Sequence, residues 1–203
     1  TYGFEVIGIR NGTEGLLARP IKAETLDPTL FDGAMLRQAG TLLGTVNRGD
    51  PTAYPMANGE IRDRTDEFVE SYKTLGLDGL IVIGGDGSLT ILRRLAQAGG
   101  LNLIAIPKTI DNDVAGTDRS IGFHTALTVA TEALDRLQPT AASHGRVMVL
   151  EVMGRNAGHI ALEAGIAGGA DVILVPELNY SIDGVAAKIE RLRVSGRNFA
   201  LVV

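Results

Sequence analysis

Short apolar runs of strand length recur along the chain, and segments with the apolar spacing of a helix lie between them. The runs are continuous rather than alternating, which is typical of strands buried on both faces of a parallel sheet. The alternation of the two patterns predicts an α/β fold with right-handed crossovers. The predicted strands cover residues 4–9, 80–83, 103–106, 147–152, 172–175 and 199–203, and the predicted helices cover 65–75, 89–98, 125–137, 157–167 and 182–194.

Two segments show no apolar periodicity. Residues 47–64 mix glycine and proline with polar side chains, and this composition predicts a surface loop over a site. Residues 107–122 separate the third predicted strand from the next helix. We expect this second segment to connect two domains, 1–122 and 123–203.

The composition limits the classes of protein. Hydrophobic residues make up 45% of the 203 and charged residues 21%, so the chain has enough apolar surface to bury a core. The formal net charge of −5 argues against a nucleic-acid surface, which needs a positive field. The absence of cysteine excludes disulfides and thiolate sites. This absence also favours the cytoplasm. No apolar run reaches the roughly 18 to 20 residues that span a bilayer, so we predict a soluble protein without a membrane partner.

A glycine-rich turn follows the second predicted strand, with the residues Gly84, Gly85, Asp86, Gly87 and Ser88. A helix that starts near Ser88 aims free backbone N–H groups at one point, which favours a phosphate. Asp86 offers a carboxylate for Mg²⁺, and side chains in place of the glycines would hold a polyphosphate away from the backbone. An ordinary strand-to-helix turn is the alternative, and lipid and NAD kinases share the pentapeptide. Alone, the turn predicts only a phosphoryl-donor site.

A second motif, Pro-Lys-Thr-Ile-Asp-Asn-Asp at residues 107–113, follows the third predicted strand directly. An extended backbone would point Thr109, Asp111 and Asp113 to one side. On such a face one carboxylate can accept the proton of an attacking hydroxyl, while its neighbours hold metal or substrate and a cation balances the phosphoryl charge. A solvated acidic turn is the alternative.

Two arginines, Arg146 and Arg155, lie at the two ends of a block that contains the predicted strand 147–152 and the turn of Met153 and Gly154. A guanidinium group binds phosphate in a bidentate manner, so the two arginines could serve two different phosphate groups. Surface arginines that terminate a strand are the alternative.

With these three blocks the chain resembles the 6-phosphofructokinase family, and the similarity runs from Gly3 to Val203. The resemblance implies an α/β fold of parallel-sheet three-layer sandwiches, with two similar domains and the site between them. Residues 1–122 would form the donor-binding domain and residues 123–203 the sugar-phosphate-binding domain. It also implies a first strand and a donor loop before Thr1 and further ligands after the last residue, so we expect the 203 residues to be a fragment.

The implied activity is phosphoryl transfer from ATP to the 1-hydroxyl of fructose 6-phosphate, a step of glycolysis. By similarity Asp111 is the catalytic base, and Arg155 stabilises charge on the transferring phosphoryl group with Thr109 and Lys108 close by. The residues implied to bind the sugar phosphate are Thr109, Asp111, Asp113, Arg146, Met153, Gly154 and Arg155. Those implied to bind ATP are Gly84, Gly85, Asp86, Gly87, Ser88 and Arg48, with Asp86 holding Mg²⁺.

Lys108 and Gly87 bear on the choice of phosphoryl donor. Lys108 stands where ATP-using bacterial members carry a glycine, a change that the family associates with diphosphate users. Gly87 is associated with ATP, because a side chain there would crowd the α-phosphate. The pair resembles ATP-using members of a mixed-substrate branch, so ATP is the expected donor.

Arg146 resembles an arginine that reaches the 6-phosphate bound by a neighbouring subunit, which requires self-association as a dimer or tetramer. Asp171 falls where some bacterial relatives place an acidic residue of an allosteric nucleotide site. Three alternatives stay open: a diphosphate-dependent fructose 6-phosphate 1-phosphotransferase, a truncated nucleotide-binding fragment without catalysis, and a lipid or NAD kinase that shares only the glycine turn.

Overall fold

The computed structural model describes residues 3–46 and 49–203. Within these ranges helices and strands alternate along most of the chain. The strands are β1 (Ile7–Ile9), β2 (Ala23–Thr25), β3 (Tyr54–Pro55), β4 (Ile61–Arg62), β5 (Leu80–Gly84), β6 (Leu103–Thr109), β7 (Ile121–Gly122), β8 (Val147–Val149) and β9 (Ala200–Val202). The α-helices are α1 (Thr13–Leu17), α2 (Thr65–Thr74), α3 (Asp86–Gly99), α4 (Phe123–His144), α5 (His159–Ala167) and α6 (Ile182–Val194).

Each of the five predicted helices overlaps an observed one. α6 has the predicted bounds, and the hydroxyl of Ser181 caps it by accepting the N–H of Gly184 at 3.1 Å. α4 is longer than predicted and continues through Pro139 to His144, where Gly145 caps it. The φ of Gly145 is 61°, the left-handed conformation in which glycine commonly ends a helix.

Parallel pairing is confirmed in the strands that carry the second and third motifs. Thr109 of β6 lies opposite Gly122 of β7, and Val147 of β8 lies opposite Ala200 of β9. The strands β5, β6 and β7 form one sheet in that order. The predicted strand 172–175 is represented by one parallel bridge.

Two antiparallel pairs differ from the predicted parallel pattern, although β1 lies within the predicted strand 4–9. β1 pairs with β2, and β3 pairs with β4 inside the segment predicted to be a loop. Gly59, with a φ of 84°, lies in the turn of the β3–β4 hairpin, where Met56 donates its N–H to the carbonyl of Glu60 at 2.7 Å. Strands of two residues are too short to produce a periodic signal, so the loop prediction is corrected for residues 54–62.

Two compact units make up the chain, the first formed by Thr1–Val82 with Gly87–Ile106 and the second by Ile83–Asp86 with Pro107–Val203. In the first unit α1, α2 and α3 bury one apolar cluster that contains Leu16, Leu17, Phe68, Leu92 and Leu95. In the second unit α4 and α5 bury another, which contains Phe123, Leu134, Ile160 and Ala164. The predicted domain boundary after residue 122, and the predicted site between domains, stay predictions.

No helix of the described residues is both long enough and apolar enough to cross a membrane.

Candidate active site

The glycine-rich turn is tighter than the sequence predicts. β5 ends at Gly84 and α3 begins at Asp86, so a single residue, Gly85, joins strand and helix. The first turn of α3 therefore contains Asp86, Gly87 and Ser88, all of which are exposed. Because the first N–H groups of a helix have no partner within it, this turn presents donors that suit an anion.

The structure constrains the two glycines Gly87 and Gly85 differently. A Cβ added at Gly87 would meet no atom of the described residues within 4 Å, and its φ is not left-handed. Neither packing nor backbone geometry therefore requires glycine at position 87. A Cβ at Gly85 would lie 3.4 Å from Cβ of Thr109, which brings the donor turn against the second motif.

The second motif begins on a strand and then leaves it. β6 runs through Pro107 and Lys108 and ends at Thr109, while Asn112 has a left-handed φ of 54°. The prediction of an extended backbone as far as Asp113 is therefore wrong, because asparagine tolerates the left-handed region and breaks the alternation of side chains here. The amide of Asp111 donates to the Thr109 hydroxyl oxygen at 3.1 Å, which bends the chain back onto the end of the strand.

The carboxylate of Asp111 is partly withdrawn from water and not engaged. Its Oδ1 atom is buried and accepts no hydrogen bond from the described residues. Burial raises the pKa of Asp111, and the negative charge of Asp113 raises it further. A partly buried carboxylate with a raised pKa and one buried oxygen that accepts no hydrogen bond from the described residues has the properties of a general base.

Asn112 and Ser120 close the loop that begins at Asp111. Oδ1 of Asn112 accepts the N–H of Ser120 at 2.8 Å, and its Nδ2 donates to the carbonyl of Asp118 at 3.2 Å. The Ser120 hydroxyl donates to the carbonyl of Thr109 at 2.8 Å. We call Asn112 and Ser120 the loop clasp. The sequence reasoning missed both residues, although an asparagine between two aspartates after a strand is a signal for a left-handed position.

The third block ends its strand earlier than predicted. β8 stops at Val149, and Arg146 and Arg155 lie on either side of it as exposed side chains. Neither guanidinium forms an ion pair or hydrogen bond within residues 3–46 and 49–203. Gly154 has a φ of 127°, and a Cβ there would collide with the carbonyl oxygen of Ala157, so this turn requires glycine.

The remaining predicted site residues are either exposed or lie outside the described residues. Met153 is 68% exposed, and Lys108 is also exposed. Arg48 lies outside the described residues, as does its neighbour Asn47. The contacts described above bring together the turn at Gly85, Thr109 and Asp111.

Asp171 forms an ion pair and a hydrogen bond that the sequence did not predict. Its side chain is only 7% exposed, and its Oδ1 forms an ion pair with Arg197 at 2.9 Å. Its Oδ2 accepts the N–H of Leu201 in β9 at 2.9 Å. The effector role implied for Asp171 stays a prediction, and any effector would have to compete with these two partners.

The described residues contain no group of three or more histidine, cysteine, aspartate or glutamate side chains that could hold a metal ion. Asp86 is the one protein ligand predicted for a metal at the donor turn.

Comparison with known proteins decides the family. A sequence model of the family described as phosphofructokinase matches residues 1–203. The chain belongs to the phosphofructokinase family. The family resemblance predicted from the three motifs is confirmed.

Individual relatives agree with the family assignment. The chain is 61% identical to ATP-dependent 6-phosphofructokinase 1 of Synechocystis sp. over 203 residues, covering 100% of this chain and 56% of that protein. The structure of phosphofructokinase from Saccharomyces cerevisiae matches with a TM-score of 0.82 and 28% identity, over 98% of this chain and 26% of that one. The pyrophosphate-dependent phosphofructokinase of Marinobacter aquaeolei matches with a TM-score of 0.73 and 26% identity, over 98% and 51%.

These phosphofructokinase structures confirm the predicted α/β fold. The chain spans just over half the length of the Synechocystis relative, 56%. The roles predicted for individual residues are therefore carried forward as proposals.

Proposed function

We propose that the complete protein transfers a phosphoryl group from ATP to the 1-hydroxyl of fructose 6-phosphate and so produces fructose 1,6-bisphosphate in glycolysis. The idle, buried Oδ1 of Asp111 carries this proposal. A carboxylate without an internal partner is available to a substrate hydroxyl, and its raised pKa improves it as a proton acceptor. The Synechocystis relative, whose name states ATP dependence, supports ATP as the donor.

In the proposed reaction Asp111 accepts the proton of the 1-hydroxyl as the oxygen attacks the γ-phosphorus. A new bond forms between O1 and phosphorus, and the bond from phosphorus to the β–γ bridging oxygen breaks, so that ADP leaves. Arg155 and Lys108 balance the negative charge of the transferring group. Thr109 holds the Asp111 amide and so helps to set the direction of attack.

The donor is proposed to bind at the start of α3. Gly84, Gly85, Gly87 and Ser88 offer backbone close to the polyphosphate, and Arg48 adds a cation. Asp86 would hold Mg²⁺. One exposed carboxylate is a fitting ligand, because Mg²⁺ in phosphoryl-transfer sites usually takes one or two carboxylates and completes its shell with water and donor phosphates. The ion would supply positive charge that neutralises the donor phosphates.

The sugar phosphate is proposed to bind at Asp113, Met153, Gly154 and the two arginines. The exposed guanidinium of Arg146 would serve the 6-phosphate of a sugar bound in a neighbouring subunit. That assignment requires a homo-oligomer, because such a site is incomplete in one copy.

A diphosphate donor is the second candidate. Lys108 favours it, because its exposed ammonium at the end of β6 adds positive charge that a small donor without a nucleoside could use. The fold is compatible with either donor, since the similar structure from Marinobacter aquaeolei is titled pyrophosphate-dependent.

The test is a coupled assay of the full-length protein with fructose 6-phosphate and either ATP or diphosphate. We expect ATP to be preferred, and Asp111→Asn to lower kcat by about 10²- to 10⁴-fold with little change in the KM for either substrate. Asp118→Asn makes the same chemical change on an exposed side chain and is the matched control. Turnover with diphosphate alone would favour the second candidate, and Asp111→Asn retaining more than about a tenth of kcat would remove Asp111 from the role of base.

A further inference from the structure

We infer that the loop clasp, Asn112 with Ser120, positions the Asp111 carboxylate for proton transfer; this inference rests on the proposed function. No family role assigned above includes either residue.

No hydrogen bond within the described residues fixes the buried Oδ1 atom of Asp111. The direction of the carboxylate must therefore be set through the backbone on either side of it. On one side, the Asp111 amide donates to the Thr109 hydroxyl. On the other side stands Asn112, whose left-handed φ turns the chain away from the strand.

The clasp fixes that second side. Through its amide group Asn112 is bonded to the N–H of Ser120 and the carbonyl of Asp118, and its Oδ1 also lies 3.2 Å from the Ser120 hydroxyl. The hydroxyl itself reaches the carbonyl of Thr109, at the end of β6. The two ends of the loop, residues 112 and 120, are thereby joined to each other and to the strand that precedes Asp111. Asparagine tolerates the left-handed conformation, and these bonds hold Asn112 in it.

Ser120 is a firm point of attachment. It is only 5% exposed, and it lies between two anchored neighbours. Arg119 forms an ion pair with Glu163 of α5 at 2.7 Å, and Phe123 at the start of α4 is fully buried. The clasp therefore connects the loop that carries Asp111 to the packed helices of the second unit.

Loss of the clasp has two expected consequences. The carboxylate samples more directions, and misplacement of a reacting group by about 1 Å can cost on the order of 100-fold in rate. Water also gains access to Asp111, which weakens the desolvation that raises its pKa. Asp113 is the charged group that acts on Asp111 in the described chain, and its effect remains in clasp variants.

The experiment compares Ser120→Ala, Asn112→Gly and the double variant in the full-length protein. Asn112→Gly removes the side-chain amide but permits the left-handed backbone. Ser195→Ala is the matched control, since it removes an exposed hydroxyl that also donates to a backbone carbonyl, that of Leu192 at 2.7 Å. The measurements are kcat, both KM values, the pH profile of kcat/KM and the thermal unfolding midpoint.

We expect each clasp variant to lower kcat about 10-fold or more with both KM values within about twofold, and the acid limb of the profile to move to lower pH. The double variant should be little worse than either single one, because the two residues act as a unit. The control should match the wild type.

Folded clasp variants with unchanged kcat would overturn the inference, and so would a lower kcat with an unmoved acid limb, which indicates a structural role. If Ser120→Ala does not fold, the kinetics of Asn112→Gly decide the question. If neither variant folds, the bonds of the clasp serve the stability of the protein, and the inference is overturned. An inactive wild type would refute the proposed function itself, whereas an active wild type with an inactive Asp111→Asn and unaffected clasp variants would refute this inference alone.

Discussion

Gly87 provides a test of the donor site, because the fold does not require glycine at this position. An added Cβ meets no described atom within 4 Å, and the residue lies in the first turn of α3. Replacing a helical glycine with alanine should stabilise the folded protein by about 0.5–1 kcal/mol. An aspartate gains a further interaction with the helix dipole of about 0.3–1 kcal/mol. Gly87→Ala and Gly87→Asp should therefore fold at least as well as the wild type.

ATP use should respond in the opposite direction. An aspartate at position 87 places a carboxylate beside the polyphosphate if the donor lies on the turn, and we take a separation of roughly 4 Å. Two like unit charges at that distance repel by about 1 kcal/mol in bulk water and about 4 kcal/mol at the effective dielectric of a protein surface. These energies correspond to about 5-fold and about 1,000-fold losses in kcat/KM for ATP, and the exposure of the turn favours the middle of that range.

The assay measures kcat/KM for ATP and for diphosphate together with the thermal unfolding midpoint. Gly33→Asp is the matched control, because Gly33 also has open space around its Cβ position and lies outside the site. A stable Gly87→Asp protein that keeps its ATP activity would refute the reasoning. A wild type that already prefers diphosphate would show that Gly87 does not decide the donor.

Three further predictions concern binding, stability and pH. Arg146→Ala should raise the KM for fructose 6-phosphate strongly and leave the KM for ATP nearly unchanged, as measured by steady-state kinetics with each substrate varied. An unchanged KM for the sugar phosphate would mean that Arg146 only ends a strand and does not bind substrate. Asp171→Ala should lower the free energy of unfolding by about 1–3 kcal/mol in denaturant titrations, because the buried N–H of Leu201 loses its acceptor; no loss would mean that the bond is replaced. Since the pKa of Asp111 is raised, this base ionises at a higher pH than an ordinary aspartate, so kcat/KM should fall on the acid side at correspondingly higher pH. Asp113→Asn removes a repelling charge and should move that limb to lower pH, and an unmoved limb would contradict the assignment.

The longer helices and most of the parallel strands were predictable because their apolar runs are long enough to show a pattern, whereas the five-residue α1 and the two-residue parallel strand β7 were not predicted. α6 matches its predicted bounds, and β5 differs from its prediction by one residue. β3 and β4 were not predictable, since two residues cannot display an alternation. β2 contains Glu24 between Ala23 and Thr25, so it lacks the continuous apolarity on which the strand prediction relied.

The candidate site was predictable in its residue types and less so in its geometry. The motifs name Gly85, Thr109 and Asp111, but the contact of Gly85 with Thr109 depends on β5 and β6 being neighbours in a sheet. The bond between Asn112 and Ser120 closes eight residues of chain, and no periodic pattern encodes it. A local property, the tolerance of asparagine for a left-handed φ, was the one available hint.

Thr109 touches three functional elements through three different parts of one residue. Its Cβ lies against the position of Gly85, its hydroxyl holds the amide of Asp111, and its carbonyl accepts the hydroxyl of Ser120. Mutational effects are additive for distant sites and fail to add for residues that share a partner. Substitutions at Gly85, Asp111 and Ser120 share Thr109, so a map of pairwise epistasis in this chain should be centred on the threonine rather than on the catalytic base.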